Sequence, residues 1–276
     1  MNLKPLILSL FVIVTTSLFA QGIGNVQMDE RSLYAMTKQM GQFINRFNYE
    51  EDQFGKKINP KNRNFRDNRQ RRKSIPTLFD KDFYSKNETV SQEFIKDVTN
   101  PDSAAYMEFL GGRWYSEVSA TFTYNNKDVD MILILTLEKA GKGSKWVLTN
   151  VLTDVFTDKF VDCPDTIRNT NFLHPMSHEI DFMNIYKIFN DKNSIECYAS
   201  SSYNPDFLTL FFYEVKNGRL RFKNVNSLKY HVMQIRNWYF EVSWIDRKGN
   251  NSGWLITNLV QMSEDDKHLI LKYYQP

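Results

Sequence analysis

Ser144-Lys145-Trp146-Val147-Leu148-Thr149-Asn150-Val151 and Ser252-Gly253-Trp254-Leu255-Ile256-Thr257-Asn258-Leu259 share one pattern, S-x-W-[VL]-[LI]-T-N-[VL]. Each is a run of β-favouring residues led by an aromatic and opened by a turn residue. Its occurrence once in each half of the chain predicts the same strand in two related domains.

Working outward from the first copy, strands are expected over residues 113–124, 129–138 and 145–152, with turns at Asn125-Asn126 and Gly141-Lys142-Gly143-Ser144. Around the second copy they are expected over 228–234, 238–246, 254–260 and 268–274. The turns there are Arg236-Asn237, Lys248-Gly249-Asn250-Asn251 and the acidic Ser263-Glu264-Asp265-Asp266. Connections this short admit antiparallel meanders and exclude parallel crossovers. The likeness of residues 114–119 to 238–243 sets a first strand on a middle one and reads as shared strand composition.

Helices precede each meander. Asp29 caps a helix reaching about residue 49, whose Leu33, Met36, Met40, Phe43, Ile44 and Phe47 fall on one face. Shorter helices are expected over 91–98 and over 102–110, the latter stopped by Gly111-Gly112. Ser177 caps a helix to about residue 190 that is apolar over most of its circumference. Residues 206–216 fit either a helix or one arm of a hairpin turned by Asn217-Gly218. Alignment of 93–100 with 210–217 favours the helix.

Helices followed by strands in runs argue for α+β domains, each a sheet packed on helices. This order, with its repeated strand, resembles the nuclear-transport-factor-like, cystatin-like superfamily. The resemblance implies a curved antiparallel sheet around a long helix, often enclosing a pocket, and tandem domains of an exported bacterial protein; it carries over no functional residue. The expected division is a signal peptide over 1–20, a first domain over 21–160 with a basic insertion at about 50–74, a linker over 161–175, and a second domain over 176–276.

The leader reading rests on Lys4, the short apolar run that follows it, and Ala20 at the cut, so the protein is expected in the periplasm or outside the cell. No later stretch has the ~20 apolar residues that span a bilayer. Cys163 and Cys197 are the only cysteines, and an oxidising compartment permits a disulfide between them. Such a bridge would close a loop of about 33 residues, worth ~3 kcal/mol.

The formal net charge of +3 hides a local excess: residues 56–73 hold nine basic side chains against Asp67, and the rest of the exported chain is acidic. With few apolar residues, this segment reads as a loop or mobile arm. Arg63, Arg66, Arg69, Arg71, Arg72 and Lys73 are its anion-binding candidates, with Phe54 and Phe65 beside them. Nucleic acid is an unusual ligand for an exported protein, so acidic glycans or an acidic envelope protein suit these charges better.

Catalytic patterns are weak. His174 and His178 lie four apart, but Pro175 and the Ser177 cap set His174 outside the helix, so no metal site is assigned. No serine elbow or phosphate loop is present, and no cofactor is expected. His231 lies on a strand, with Glu117, Asp130 and Glu241 on or beside strands, as the one acid/base constellation a pocket enzyme would use; His268 reads as surface. The leading expectation is an exported, non-catalytic binding or protein-interaction protein. The alternatives are a pocket enzyme using His231 and a carboxylate, and a binder of anionic glycan surfaces through the basic arm.

Overall fold

A computed structural model describes residues 39–110, 113–141, 143–157, 159–160, 163–168, 185–190, 192–193, 195–248 and 251–274. The expected leader, the start of the first helix, the Gly111-Gly112 stop, and most of the helix expected over 177–190, with His174 and His178, lie outside the described residues.

The chain is α+β. One antiparallel sheet of six strands has the order β3-β2-β1-β4-β5-β6. Its strands are β1 (Trp114–Tyr124), β2 (Lys127–Ala140), β3 (Gly143–Leu152), β4 (Leu220–Val232), β5 (Trp238–Ile245) and β6 (Gly253–Gln261). The two meanders therefore lie side by side, and the strands carrying Trp146 and Trp254 are its two edges. Asn125 and Asn126 turn β1 into β2 with φ of 48° and 63°, the left-handed backbone of a tight hairpin.

Helices α1 (Met40–Asn48), α2 (Asn68–Ser74), α3 (Lys81–Lys86) and α4 (Glu88–Val98) pack on one face of the β5–β6 half. Phe43 and Phe47 from α1 and Phe94 from α4 meet Phe240, and the Phe94 ring stands edge-on to Trp238 at 5.4 Å. The short helices α5 (Asp154–Thr157), α6 (Asp165–Arg168) and α7 (Tyr186–Asn190) follow β3, and then α8 (Phe207–Lys216). Asp206 caps α8 through the amides of Leu208 and Thr209, and Phe211 stands edge-on to Phe122 of β1 at 5.6 Å.

Several expectations are corrected. The strand expected over 268–274 is part of helix α9 (Glu264–Tyr274). The acidic Ser263–Asp266 stretch is its cap and first turn: the Ser263 hydroxyl accepts from the Asp266 amide at 3.1 Å, and acids favour a helix start. Ile270, Leu271 and Tyr274 then share the helical face that packs on Tyr115, Ile134 and Met233. Residues 102–110 form no helix. Their backbone runs as turn, bend and irregular chain held from outside, with Asn48 donating to the Met107 carbonyl and accepting from its amide, both at 2.8 Å. Strand β4 begins at Leu220 instead of Leu228, because β1 supplies the hydrogen-bonding partner that a polar stretch cannot advertise.

The basic segment is not wholly a loop either. Asp67 caps α2 by accepting from Gln70, and Arg71 is fully buried. Its guanidinium donates to the carbonyls of Phe47 (3.1 Å), Val98 (2.9 Å) and Ala105, and lies over the Tyr106 ring at 4.3 Å. Phe47 and Val98 end α1 and α4, where carbonyls lack helical partners and a cation is favourable. Burial pulls the Arg71 pKa down to about 10, which leaves it charged at neutral pH. Removing it strands three acceptors, so Arg71→Met is expected to cost about 3 kcal/mol of stability in urea titrations. Arg72→Met, one residue on and exposed, is expected within ~0.5 kcal/mol of wild type; equal losses would refute the assignment.

Candidate functional site

Strand β4 bonds to β1 along its whole length but to β5 only through residues 229–232, opposite 240–243. Beyond that point β5 leaves β4, and residues 220–228 have no strand partner on that side among the described residues. Residues 221–227 are all exposed, although β4 is central in the strand order. The opening is a wedge-shaped groove of about 800 Å³. Trp244 and Trp254, Leu228, Ser243, Lys229 and Glu117 are among its walls. Successive residues of a strand point to opposite faces, so Leu228 with Lys229 and Ser243 with Trp244 bring both faces of the sheet into it. Trp244 is 43 % exposed and edge-on to the buried Trp254 at 5.6 Å.

A buried polar network supports the Glu117 wall. The register sets Glu117 opposite Lys229 and His231 opposite both Tyr115 and Glu241. His231 is 2 % exposed; its Nε2 lies 2.9 Å from Glu117 Oε2 and its Nδ1 2.7 Å from the Tyr239 hydroxyl. Tyr239 donates to Glu241 Oε1 at 2.7 Å, which also accepts from Asn258. With its O–H directed at Glu241, the Tyr239 oxygen accepts from Nδ1, and Nε2 faces the Glu117 carboxylate. Lys229 Nζ completes the set at 3.1 Å from Glu117 Oε1.

Burial pushes the Glu117 carboxyl up, but the hydrogen bonds and charges of His231 and Lys229 outweigh it and hold its pKa below the ordinary value of 4.5. Burial, with the hydrogen bond to Glu241 and its charge, pushes the Tyr239 hydroxyl well above its ordinary range, so it remains a donor. Both nitrogens of His231 are thus engaged, and the ring is not among the groove's walls. What the groove meets is an oriented carboxylate–ammonium pair on one face of the sheet and an indole on the other.

Glu117 and Glu241 join His231, whereas Asp130 bonds Thr121 and Asn226 farther along the sheet. Tyr239 was not singled out from sequence; its one signal is the Tyr239–Glu241 spacing of two, which puts both on one strand face. The basic candidates scatter: Arg71 turns inward, Arg66 pairs with Glu50 at 2.6 Å, and Arg72 donates to Thr99. Arg63, Arg69 and Lys73 are exposed and form no ion pair with a described residue. Cys163 and Cys197 are joined by a disulfide with a Cα separation of 5.3 Å. His268 is exposed on α9. Among the described residues no group of three or more His, Cys, Asp or Glu is placed to hold a metal, and no helix is long and apolar enough to cross a membrane.

No family model, curated protein or solved structure matches this chain.

Because the Glu117 pKa is lowered on folding, its contribution to stability is present above the unfolded value and is lost as pH falls through the folded one. Wild type is therefore expected to lose more stability than Glu117→Gln as pH drops below about 4.5. Urea midpoints measured from neutral to acid pH test this, and parallel curves would remove Glu117 as the titrating member.

Proposed function

We propose that this is an exported binding or protein-interaction protein without catalytic activity, and that the wedge between β4 and β5 is its ligand site. The observation that carries the reading is the wedge itself, where the sheet opens between the half-exposed Trp244 on one face and the Lys229–Glu117 pair on the other. Aromatic side chains with polar neighbours at a concave surface are the usual material of a recognition site. The pKa of Glu117 suits it to accept hydrogen bonds as a carboxylate, and makes it a weak base at neutral pH.

Export is supported by the leader-like residues 1–20. A duplicated cystatin-like unit, of the nuclear-transport-factor-like superfamily, is supported by the repeated tryptophan strand, whose copies are the third strands of two adjoining meanders. A second reading, a pocket enzyme, draws on the closeness of His231 to Glu117, but needs a free imidazole nitrogen that Tyr239 and Glu117 both occupy. Anion binding through Arg63, Arg69 and Lys73 is a third, and predicts steep salt dependence.

A thermal-shift screen of the full exported chain against acidic glycans, neutral sugars, peptides and apolar small molecules tests the choice. A wedge ligand is expected to change tryptophan fluorescence and to bind at least tenfold more weakly to Trp244→Ala. It should bind unchanged to the triple variant Arg63→Gln, Arg69→Gln, Lys73→Gln. The opposite pattern would move the site to the basic segment, and hydrolysis lost in His231→Gln would restore the enzyme.

A further inference from the structure

The open side of β4 has a definite chemistry. Two register shifts in the β1–β4 ladder, one past Lys223 and one past Asn226, sort its side chains by kind. Phe222 lies opposite Phe122, Val225 opposite Ala120 and Leu228 opposite Val118, so all three share one face. Phe222 and Val225 are 61 % and 54 % exposed there, which is unusual for apolar residues on an internal strand. Arg221 opposite Thr123, and Lys229 opposite Glu117, share the other face. Lys223, at the first bulge, reaches Asp128 on that same face.

Leu220 to Val232 contains no acid, and Arg221 forms no ion pair with a described residue. Along residues 220–228, about 30 Å of extended chain, main-chain groups point where the next strand would be. Such an edge is completed by another extended backbone, and alternate side chains then set specificity.

Resting on the wedge as the binding site, we infer that its occupant is an extended segment of a partner protein, added as a strand beside residues 220–228 and alternating apolar with acidic side chains. Its apolar side chains cover Phe222, Val225 and Leu228 and end against Trp244, and its acids face Arg221, Lys223 and Lys229. The bulge and its lysine are the devices that keep strand edges from pairing indiscriminately. Here they also disfavour a second copy of the chain, which would bring one basic strand beside another. The groove's indole and the open strand thus serve one ligand, because Leu228 of the open strand lines the groove together with Trp244.

The probe is a fluorescent nine-residue peptide alternating glutamate and valine, titrated into the full exported chain and followed by anisotropy. It is expected to bind at least tenfold more tightly than a lysine–valine peptide. N-methylation of alternate amides should weaken it at least tenfold on one edge of the peptide and leave it unchanged on the other, since an added strand pairs through one edge. Val225→Asp should weaken it at least fivefold with an unchanged urea midpoint; Phe222→Ser replaces that variant if it does not fold. Equal affinity for the two peptides, indifference to methylation on both edges, or no binding would overturn the inference. Self-association abolished by Val225→Asp would overturn it too, by making a second copy the occupant. If the peptide fails while another ligand alters Trp244 fluorescence, the strand-addition inference falls and the wedge stands as the site.

Discussion

Strand β1 bonds to β4 from Trp114 opposite Val232 to Tyr124 opposite Leu220, and this ladder joins the two meanders into one sheet. Without it, β4 would be held only by its short contact with β5, and neither hydrophobic layer on the helix-covered face would continue into the other. The same ladder brings Glu117 beside Lys229 and His231, residues more than a hundred positions apart. Its bulges sort the outer half of β4 into an apolar and a basic face. Fold, polar network and open edge thus follow from one antiparallel register.

Two buried charged groups show how the rest is held. Arg71 is the only one of the six basic candidates taken fully inside, and it replaces water at the carbonyl ends of two helices. Lys267 does comparable work on the opposite side of the sheet, donating to the Ile235 carbonyl and to Glu264. A buried cation is tolerated where acceptors replace its water: Arg71 meets three backbone carbonyls and the Asn68 side chain, and Lys267 one carbonyl and one carboxylate. The His231 network obeys the same rule with side chains, which leaves its imidazole structural and its outer carboxylate available as a wall.

Much of the fold was legible locally. The tryptophan strands and the Asn125-Asn126 hairpin come from short-range chemistry, alternation and left-handed turn residues, whereas residues 206–216 suited helix or hairpin locally and the likeness to 93–100 favoured the helix. The misreadings also have local causes. Residues 268–274 are rich in Leu, Ile and Tyr, which suit either strand or helix, and the capping of Ser263 was read as a turn. Residues 102–110 have helix-tolerant composition, but Asn48 and Arg71 take their backbone groups. Residues 220–227, ahead of the strand expected from 228, alternate apolar with polar side chains only as far as Lys223, because the bulges at Lys223 and Asn226 shift the period that marks a strand.

The sequence by itself determined the class of the protein, the antiparallel meanders and the residue types of the candidate site, His231 and its carboxylates among them. Only the tertiary structure decided which carboxylates His231 meets, that Tyr239 belongs with them, that Arg71 faces inward, and that β4 parts from β5 to leave a groove. The division has a physical reason. Secondary structure answers to neighbours within a few residues, whereas register, burial and proton sharing depend on groups far apart in the chain, whose positions no short stretch encodes.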